Sequence, residues 1–309
     1  MSRILSIMIV FGVLSACATN PHVEFGEYYP KQFFNRKILE AEINERNTSL
    51  EQHPAWKAKA TGDFMIKQLP DINPEEYSNY RQYLDDGDIY VIVHPAYSVF
   101  FHDLQPYYLG NPVDSFLNET TYTDASRFSR EQERSLRDFI EITSTRKRLI
   151  LLVLPGNYQE YGGYYYKDKT DLYARYVNSV TNNSESVLYL YSEKPNRGRL
   201  SVKSKEQLIN FFESVNPERI IIGGGYLGRC IQDFYKNVSS SGFGEKMMVA
   251  GEISAFSRDD MNRLNVGDFL NDGKLNIEVL KEVVSSAGLK GISFKEILKN
   301  YNNYRNNRG

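Results

Sequence analysis

The sequence predicts an α/β fold: a three-layer domain with a parallel sheet, preceded by a helical extension. Short apolar runs, typical of strands that are covered on both faces, recur along the chain, and amphipathic helical patterns separate them. Strands that alternate with helices favour a parallel sheet with right-handed crossovers. The apolar runs occupy residues 89–93, 149–154, 187–191, 219–222 and 246–250.

The first sixteen residues are predicted to be a signal peptide. Arg3 precedes an apolar run over residues 4–14, which is shorter than the roughly 20 residues that span a bilayer as a helix. The run ends in Leu14-Ser15-Ala16-Cys17, which resembles the lipobox of bacterial lipoproteins. This resemblance implies cleavage before Cys17 and acylation of Cys17 by fatty acids such as palmitate. Ala18 stands where an Asp would imply inner-membrane retention, so we expect a lipid anchor at the periplasmic face of the outer membrane.

The remaining chain divides into a tether over residues 17–30, a helical extension over residues 31–87 and the α/β domain over residues 88–309. Asn73-Pro74 predicts a helix start in the extension, because Asn caps helices and Pro suits their first position. In the domain, Ser129 and Ser204 each precede a Gln by three residues. That capping-box spacing predicts two further helix starts.

Composition limits the classes of partner. The 309 residues include 37 Lys and Arg against 39 Asp and Glu, for a net charge of −2. The sequence has no basic patch of the density that nucleic-acid binding requires, so we expect no nucleic-acid partner. The expected partners are the membrane, through the lipid anchor, and a small molecule or envelope protein of unknown identity. If Cys17 is acylated, Cys230 is the remaining thiol in an oxidising compartment, either buried and inert or kept for chemistry.

The segment over residues 218–235 carries the most specific chemical pattern. Its apolar run predicts a strand, Gly223-Gly224-Gly225 predicts a sharp turn, and the residues that follow have helical spacing. Cys230 would then lie in the first turn of a helix. Unpaired N–H groups and the helix dipole favour a thiolate there.

This segment also resembles the nucleophile turn of the isochorismatase-like cysteine hydrolases, which include nicotinamidases. Gly224 lies six residues before Cys230, as in that family, and Lys194 lies after the preceding strand, where the family has its lysine. The resemblance implies a thiol nucleophile with Lys194 beside it. The family's Asp at the end of the first strand is not matched, since Val93-His94-Pro95 stands there, and the Thr three residues before the Cys is Leu227. His94 is the candidate replacement base.

Two functional hypotheses follow. In the preferred one, an envelope lipoprotein carries a degenerate cysteine-hydrolase-like domain that binds a ligand or partner through residues such as Gly224, Gly225, Tyr226 and Arg229. In the alternative, Cys230, Lys194 and His94 form an active thiol-dependent C–N hydrolase, with N–H groups of the 226–230 turn as oxyanion donors.

Cofactors and metals are not expected. His94, His102 and Asp103 do not follow a strong metal-ligand spacing. The glycine run lacks the Lys-Ser/Thr of a P-loop and the spacing of a dinucleotide site. The carboxyl ends of the strands are the expected site in a parallel sheet.

Overall fold

The computed structural model describes residues 64–96, 124–156, 171–194, 197–256, 269–271 and 274–297. These residues form an α/β fold around one seven-stranded parallel sheet, with a separate two-stranded antiparallel pair. The predicted fold class is confirmed. In chain order the strands are β1 (Lys67–Gln68), β2 (Asp88–Val93), β3 (Ile150–Leu154), β4 (Val187–Tyr191), β5 (Arg219–Tyr226), β6 (Met247–Ala255), β7 (Leu270–Asn271), β8 (Lys274–Leu275) and β9 (Gly291–Ile292).

The strand order fixes where a ligand site can lie. The sheet runs β1-β4-β3-β2-β5-β6-β9. Counted from β2, the chain first moves to one side through β3 and β4, then crosses to the other side through β5, β6 and β9. The order therefore reverses between β2 and β5. In open parallel sheets the crevice at such a switch point, beyond the carboxyl ends of the strands, is the usual ligand site.

Helices cover both faces of the sheet. Right-handed crossovers place the connections that leave β2 and β3 on one face, and those that lead into β5, β6 and β9 on the other. The helices are α1 (Asp124–Thr145), α2 (Asp171–Thr181), α3 (Val202–Val215), α4 (Gln232–Val238), α5 (Ile277–Ser286) and α6 (Phe294–Ile297), with a 3-10 helix at Pro74–Tyr83 and a π-helical turn at Leu227–Ile231 that leads into α4. In the described ranges, no helix combines the length and apolarity that crossing a bilayer requires.

Aromatic side chains pack the helices on each face of the sheet against the strands and against one another. On the first face, Phe139 of α1 packs edge-on against Tyr90 of β2 with ring centroids 4.9 Å apart, and Phe294 of α6 stacks on Phe139 at 5.3 Å. On the second face, the 3-10 helix packs on α3, where Tyr77 and Phe211 have ring centroids 5.2 Å apart. Every residue of β2 and β3 is buried, as expected for central strands covered on both faces.

A bidentate ion pair holds the amino-terminal edge of the sheet, opposite the switch point. Asp88 and Arg219 are register partners at the starts of β2 and β5. The Arg219 guanidinium donates from Nε and Nη2 to the two Asp88 oxygens at 2.7 and 2.6 Å. Burial raises the pKa of Asp88, and the hydrogen bonds and charge of Arg219 act against that rise. The pair fixes the register of the two strands that frame the site.

Several predicted boundaries need correction. The domain does not begin at Asp88, because β1 pairs in parallel with β4 and Leu69 is fully buried. A two-residue strand is too short to produce an apolar run, which is why the sequence predicted helix there. The Asn73 cap is confirmed, since its side chain accepts from the Glu75 N–H, although the helix is 3-10. The residues before 64, including Cys17, lie outside the described ranges.

Both helix starts that the capping-box spacing predicts lie a few residues beyond the observed starts. Helix α1 begins at Asp124, so Ser129 lies inside it. Helix α3 is capped by Ser201, whose hydroxyl accepts from the Ser204 N–H at 3.2 Å. Ser and Gln three residues apart also occur within amphipathic helices, so this spacing alone does not fix a helix start.

Candidate functional site

The candidate site lies at the carboxyl ends of β2 and β5, where the strand order reverses. His94 follows β2 directly, and its backbone N–H donates to the Val153 carbonyl at 2.8 Å, which extends the ladder with β3. His94 has a φ of 52° and Ala96 a φ of 54°. Left-handed backbone is uncommon for residues with a side chain, so the chain turns sharply out of the sheet here. The Tyr173 hydroxyl of α2 donates to the Pro95 carbonyl at 3.0 Å and holds this turn.

The three glycines do not form the predicted turn. They continue β5 as far as Tyr226, and all of them are buried. Gly224 has a φ of +110°, and a Cβ on it would lie 2.1 Å from the Val93 carbonyl oxygen. The strand therefore needs glycine to pass against the end of β2, where its register to β6 also shifts. Turn and close-packed strand have the same glycine signature, so the sequence could not distinguish them.

Cys230 lies in the π-helical turn that follows β5, as the sequence predicted for a first helical turn. Its environment raises the thiol pKa, whereas the helix terminus predicted a lowered one. The side chain is fully buried, and burial raises the pKa of the Cys230 thiol to about 12. The charge of Asp233 raises this pKa further, while the Tyr226 backbone and the charge of Arg229 act in the opposite direction. Cys230 is therefore a neutral thiol at physiological pH, and desolvation outweighs the helix terminus.

His94 and Cys230 both lie next to Gly225. A Cβ built on Gly225 would lie 3.3 Å from the Cys230 Cβ and 3.4 Å from the His94 Cβ. The Cβ atoms of His94 and Cys230 are thus separated by no more than the sum of those two distances. The structure therefore brings near Gly225 two residues that the sequence predicts at the carboxyl ends of strands. Their pKa values, however, do not suit a base and a nucleophile, because burial also lowers the pKa of His94 to about 3 and so makes it a weak base.

Ser192 is the site residue that sequence reasoning missed. Its hydroxyl accepts from the Gly156 N–H at 3.2 Å and lies 2.9 Å from His94 Nε2. The Lys194 carbonyl, at 2.7 Å, is a nearer acceptor for its proton than the Leu154 carbonyl, at 3.3 Å. One hydroxyl has one proton to donate. The shorter distance favours a hydroxyl that donates to Lys194 and accepts from His94, which corresponds to neutral His94 with its proton on Nε2.

The Lys194 side chain does not join this cluster. Only its backbone carbonyl reaches Ser192, while the side chain is exposed and lines a cleft on the outer surface. A tight loop causes this outward orientation: Lys194 pairs with Arg197 in an antiparallel bridge, and the Glu193 N–H donates to the Arg199 carbonyl at 2.8 Å. Gly198 brings the loop against the Cys230 turn, since a Cβ on it would lie 1.9 Å from the Cys230 carbonyl oxygen.

The proposed binding residues also separate into two groups. Gly224, Gly225 and Tyr226 are buried, whereas Arg229 is exposed beyond the π-helical turn. The glycines therefore contribute only buried backbone at the end of β5, whereas the Arg229 side chain lies on the surface. Among the described residues, no group of three or more His, Cys, Asp or Glu side chains could hold a metal ion.

Comparison with known proteins adds little to this geometry. No protein-family model matches the chain, and no curated protein matches it. Among solved structures, it is similar to YcaC from Pseudomonas aeruginosa, determined with hexane-2,5-diol and covalent acrylamide. The TM-score is 0.38 and the identity 12%, over 73% of this chain and 86% of that one. A similarity of this size supports no argument about site or function, so the fold assignment rests on the strand order itself.

Proposed function

We propose that the chain is an envelope lipoprotein, anchored in the outer membrane through acylated Cys17, whose α/β domain binds a ligand or partner and does not hydrolyse C–N bonds. The main support for the absence of hydrolysis is that the Cys230 thiol is fully buried and neutral. The lipobox-like Leu14-Ser15-Ala16-Cys17 supports the first half.

The protonation energetics argue against the hydrolase alternative. A cysteine nucleophile needs a thiolate, or a base that takes its proton. With a pKa of about 12, about one Cys230 in 10⁵ is ionised at pH 7. Proton transfer from Cys230 to His94, whose pKa is about 3, is strongly unfavourable because burial penalises both the thiolate and the imidazolium that the transfer would form. The exposed Lys194 side chain lies outside the cluster and does not stabilise a thiolate in it.

The geometry instead suits a closed structural cluster. Ser192 ties the ends of β3 and β4 to His94, and Gly198 packs against the Cys230 backbone. These contacts hold the loop after β4 in place over the switch point. A rigid loop at the usual ligand edge of a parallel sheet is a scaffold for recognition.

The catalytic half is tested with full-length protein in a nonionic detergent. We expect no turnover of primary amides, including nicotinamide, above the level of the Cys230→Ala variant. Turnover that Cys230→Ala abolishes would establish the hydrolase alternative.

The anchoring half is tested by metabolic labelling with palmitate. The chain has two cysteines, which provide a matched pair of variants. Cys17→Ser should lose the label and the membrane association, whereas Cys230→Ser should keep both. Label that survives in Cys17→Ser would refute lipidation at the lipobox.

A further inference from the structure

Two joined clefts lie on the outer surface of the loop that packs against Cys230. The first, of about 600 Å³, is formed by the loop after β4, the start of α3 and helix α4. Five basic side chains line it, although the whole chain carries a net charge of −2. These are Lys194, Arg197, Arg199, Lys205 and Lys236.

Ion pairs within the first cleft neutralise only part of this charge. Arg197 lies 3.3 Å from an oxygen of Asp233, and Arg199 lies 4.0 Å from an oxygen of Glu193. Each carboxylate therefore has an arginine partner. The three lysines of the cleft form no ion pair with any described residue, and Lys205 donates to the neutral Ser240 hydroxyl at 3.0 Å. The surplus positive charge thus belongs to lysines that can reorient toward a ligand.

The first turn of α3 adds to the positive electrostatic potential of the cleft. Helix N-termini favour acidic side chains because the macrodipole is positive there. The first turn of α3 has no acidic residue and instead carries Lys203 and Lys205. This arrangement is unfavourable for the isolated helix. A bound anion would offset that cost.

The second cleft supplies an apolar surface next to this charge. It has a volume of about 580 Å³ and shares Arg199 and Lys205 with the first cleft. Val202 lines it and is 75% exposed, the one large apolar side chain with high exposure among the described residues. Ile209, which is half-buried, lies in the same cleft. An exposed valine beside Lys205, which forms no ion pair with a described residue, is suited to a ligand with both apolar and anionic parts.

From this arrangement we infer that the joined clefts bind an anionic amphiphile: a phosphate ester whose phosphate contacts Lys194 and Lys236 and whose alkyl chain lies against Val202. A phosphate monoester carries up to two negative charges and several acceptor oxygens, which matches a cleft with three lysines better than a single carboxylate does. The inference rests on the proposed function only in treating the domain as a binding module, and it requires nothing of the Cys230 thiol.

Calorimetry on full-length protein in a nonionic detergent tests the inference, with inorganic phosphate, butyl phosphate and 1-butanol as probes. Butyl phosphate should bind about tenfold more tightly than inorganic phosphate, since part of its chain leaves water. 1-Butanol should not bind measurably, and higher ionic strength should weaken both phosphates. Dibutyl phosphate, a diester like membrane phospholipids, is compared with the monoester, and the tighter of the two identifies the natural ester class.

Variants assign the two parts of the site. Lys194→Ala/Lys236→Ala should weaken both phosphates by about tenfold or more, because charge-assisted hydrogen bonds are lost. Val202→Ser should remove the advantage of butyl phosphate and leave inorganic phosphate unchanged. Lys295→Ala alters an exposed lysine on α6 and is the matched control, with no expected effect.

Three results would overturn the inference: no phosphate binding, equal losses in Lys295→Ala and the double variant, or equal affinity for inorganic and butyl phosphate. Cys230→Ala separates this test from that of the proposed function. It should bind butyl phosphate normally. Amide turnover by the wild-type protein would refute the proposed function without altering the phosphate result.

Discussion

Gly224 offers the most quantitative test of how β5 fits against β2. A methyl group at this position meets two obstacles. The φ of +110° is unfavourable for an L-residue by about 1–3 kcal/mol. The new Cβ would also lie 2.1 Å from the Val93 carbonyl oxygen, and neither group can move without shifting a central strand. Overpacking of this kind costs about 1–3 kcal/mol.

Two other glycines separate these contributions. Gly242 has a φ of +92°, and no atom lies within 4 Å of the position that a Cβ would take there, so Gly242→Ala measures the backbone cost alone. Gly225 lies outside the positive-φ region, and its Cβ would meet its neighbours at 3.3–3.4 Å. We expect losses of about 1 kcal/mol for Gly242→Ala, less than about 1 kcal/mol for Gly225→Ala, and about 3 kcal/mol for Gly224→Ala.

Urea unfolding of the three variants, monitored by circular dichroism, gives the free energies of unfolding. A loss of about 3 kcal/mol also corresponds to a fall in Tm of about 10 °C for a domain of this size. If Gly224→Ala unfolds at the same urea concentration as Gly242→Ala, the close approach of β5 to β2 does not exist, and the account of the glycine run is wrong.

Three further perturbations test buried polar groups, each by urea unfolding. Burial raises the pKa of Glu133 to about 7, above its ordinary value near 4.5. The native state then binds more protons than the unfolded state between those values, so stability falls as pH rises from about 5 to 8. Glu133→Gln should recover about 3 kcal/mol at pH 8 and nothing at pH 4, and an unchanged pH slope would contradict this. Arg219→Met should cost about 3 kcal/mol because it leaves the buried Asp88 carboxylate unpaired, whereas adding Asp88→Asn should recover much of that loss; equal losses in the single and double variants would refute the role of the pair. Ser192→Ala should cost about 2 kcal/mol because it removes the hydroxyl that accepts from His94 Nε2, and Ser192→Thr should be milder; no loss in Ser192→Ala would remove Ser192 from the site.

The central fold was predictable because strands that are buried on both faces consist of continuous apolar runs. The apolar runs at β2, β3 and β4 coincide with the strands to within a residue. The edge strand β1 has two residues and exposes Lys67, so it contains no apolar run. Helix boundaries were less predictable, because the start of α1 depends on packing that local capping signals do not encode.

The sequence indicated which strand ends lie close together, but not how deeply the side chains at those ends are buried. Strand ends in a parallel sheet converge, which placed His94 and Cys230 together. Their pKa values depend on burial, and burial depends on Gly198 and the loop after β4, which lie far from Cys230 in the sequence. The basic clefts had one visible signal, the density of Lys and Arg over residues 194–205. The sequence alone did not show that α4 places Lys236 in the same cleft.

The measurement that tests the central claim most directly is the alkylation of Cys230 by iodoacetamide as a function of pH, in Cys17→Ser full-length protein. Because the thiol is sealed and its pKa is about 12, we predict no labelling of the folded protein between about pH 6 and 9, and ordinary labelling in urea. Labelling of the folded protein with a midpoint well below about 8.5, the value for a free thiol, would show an activated thiolate and contradict the account.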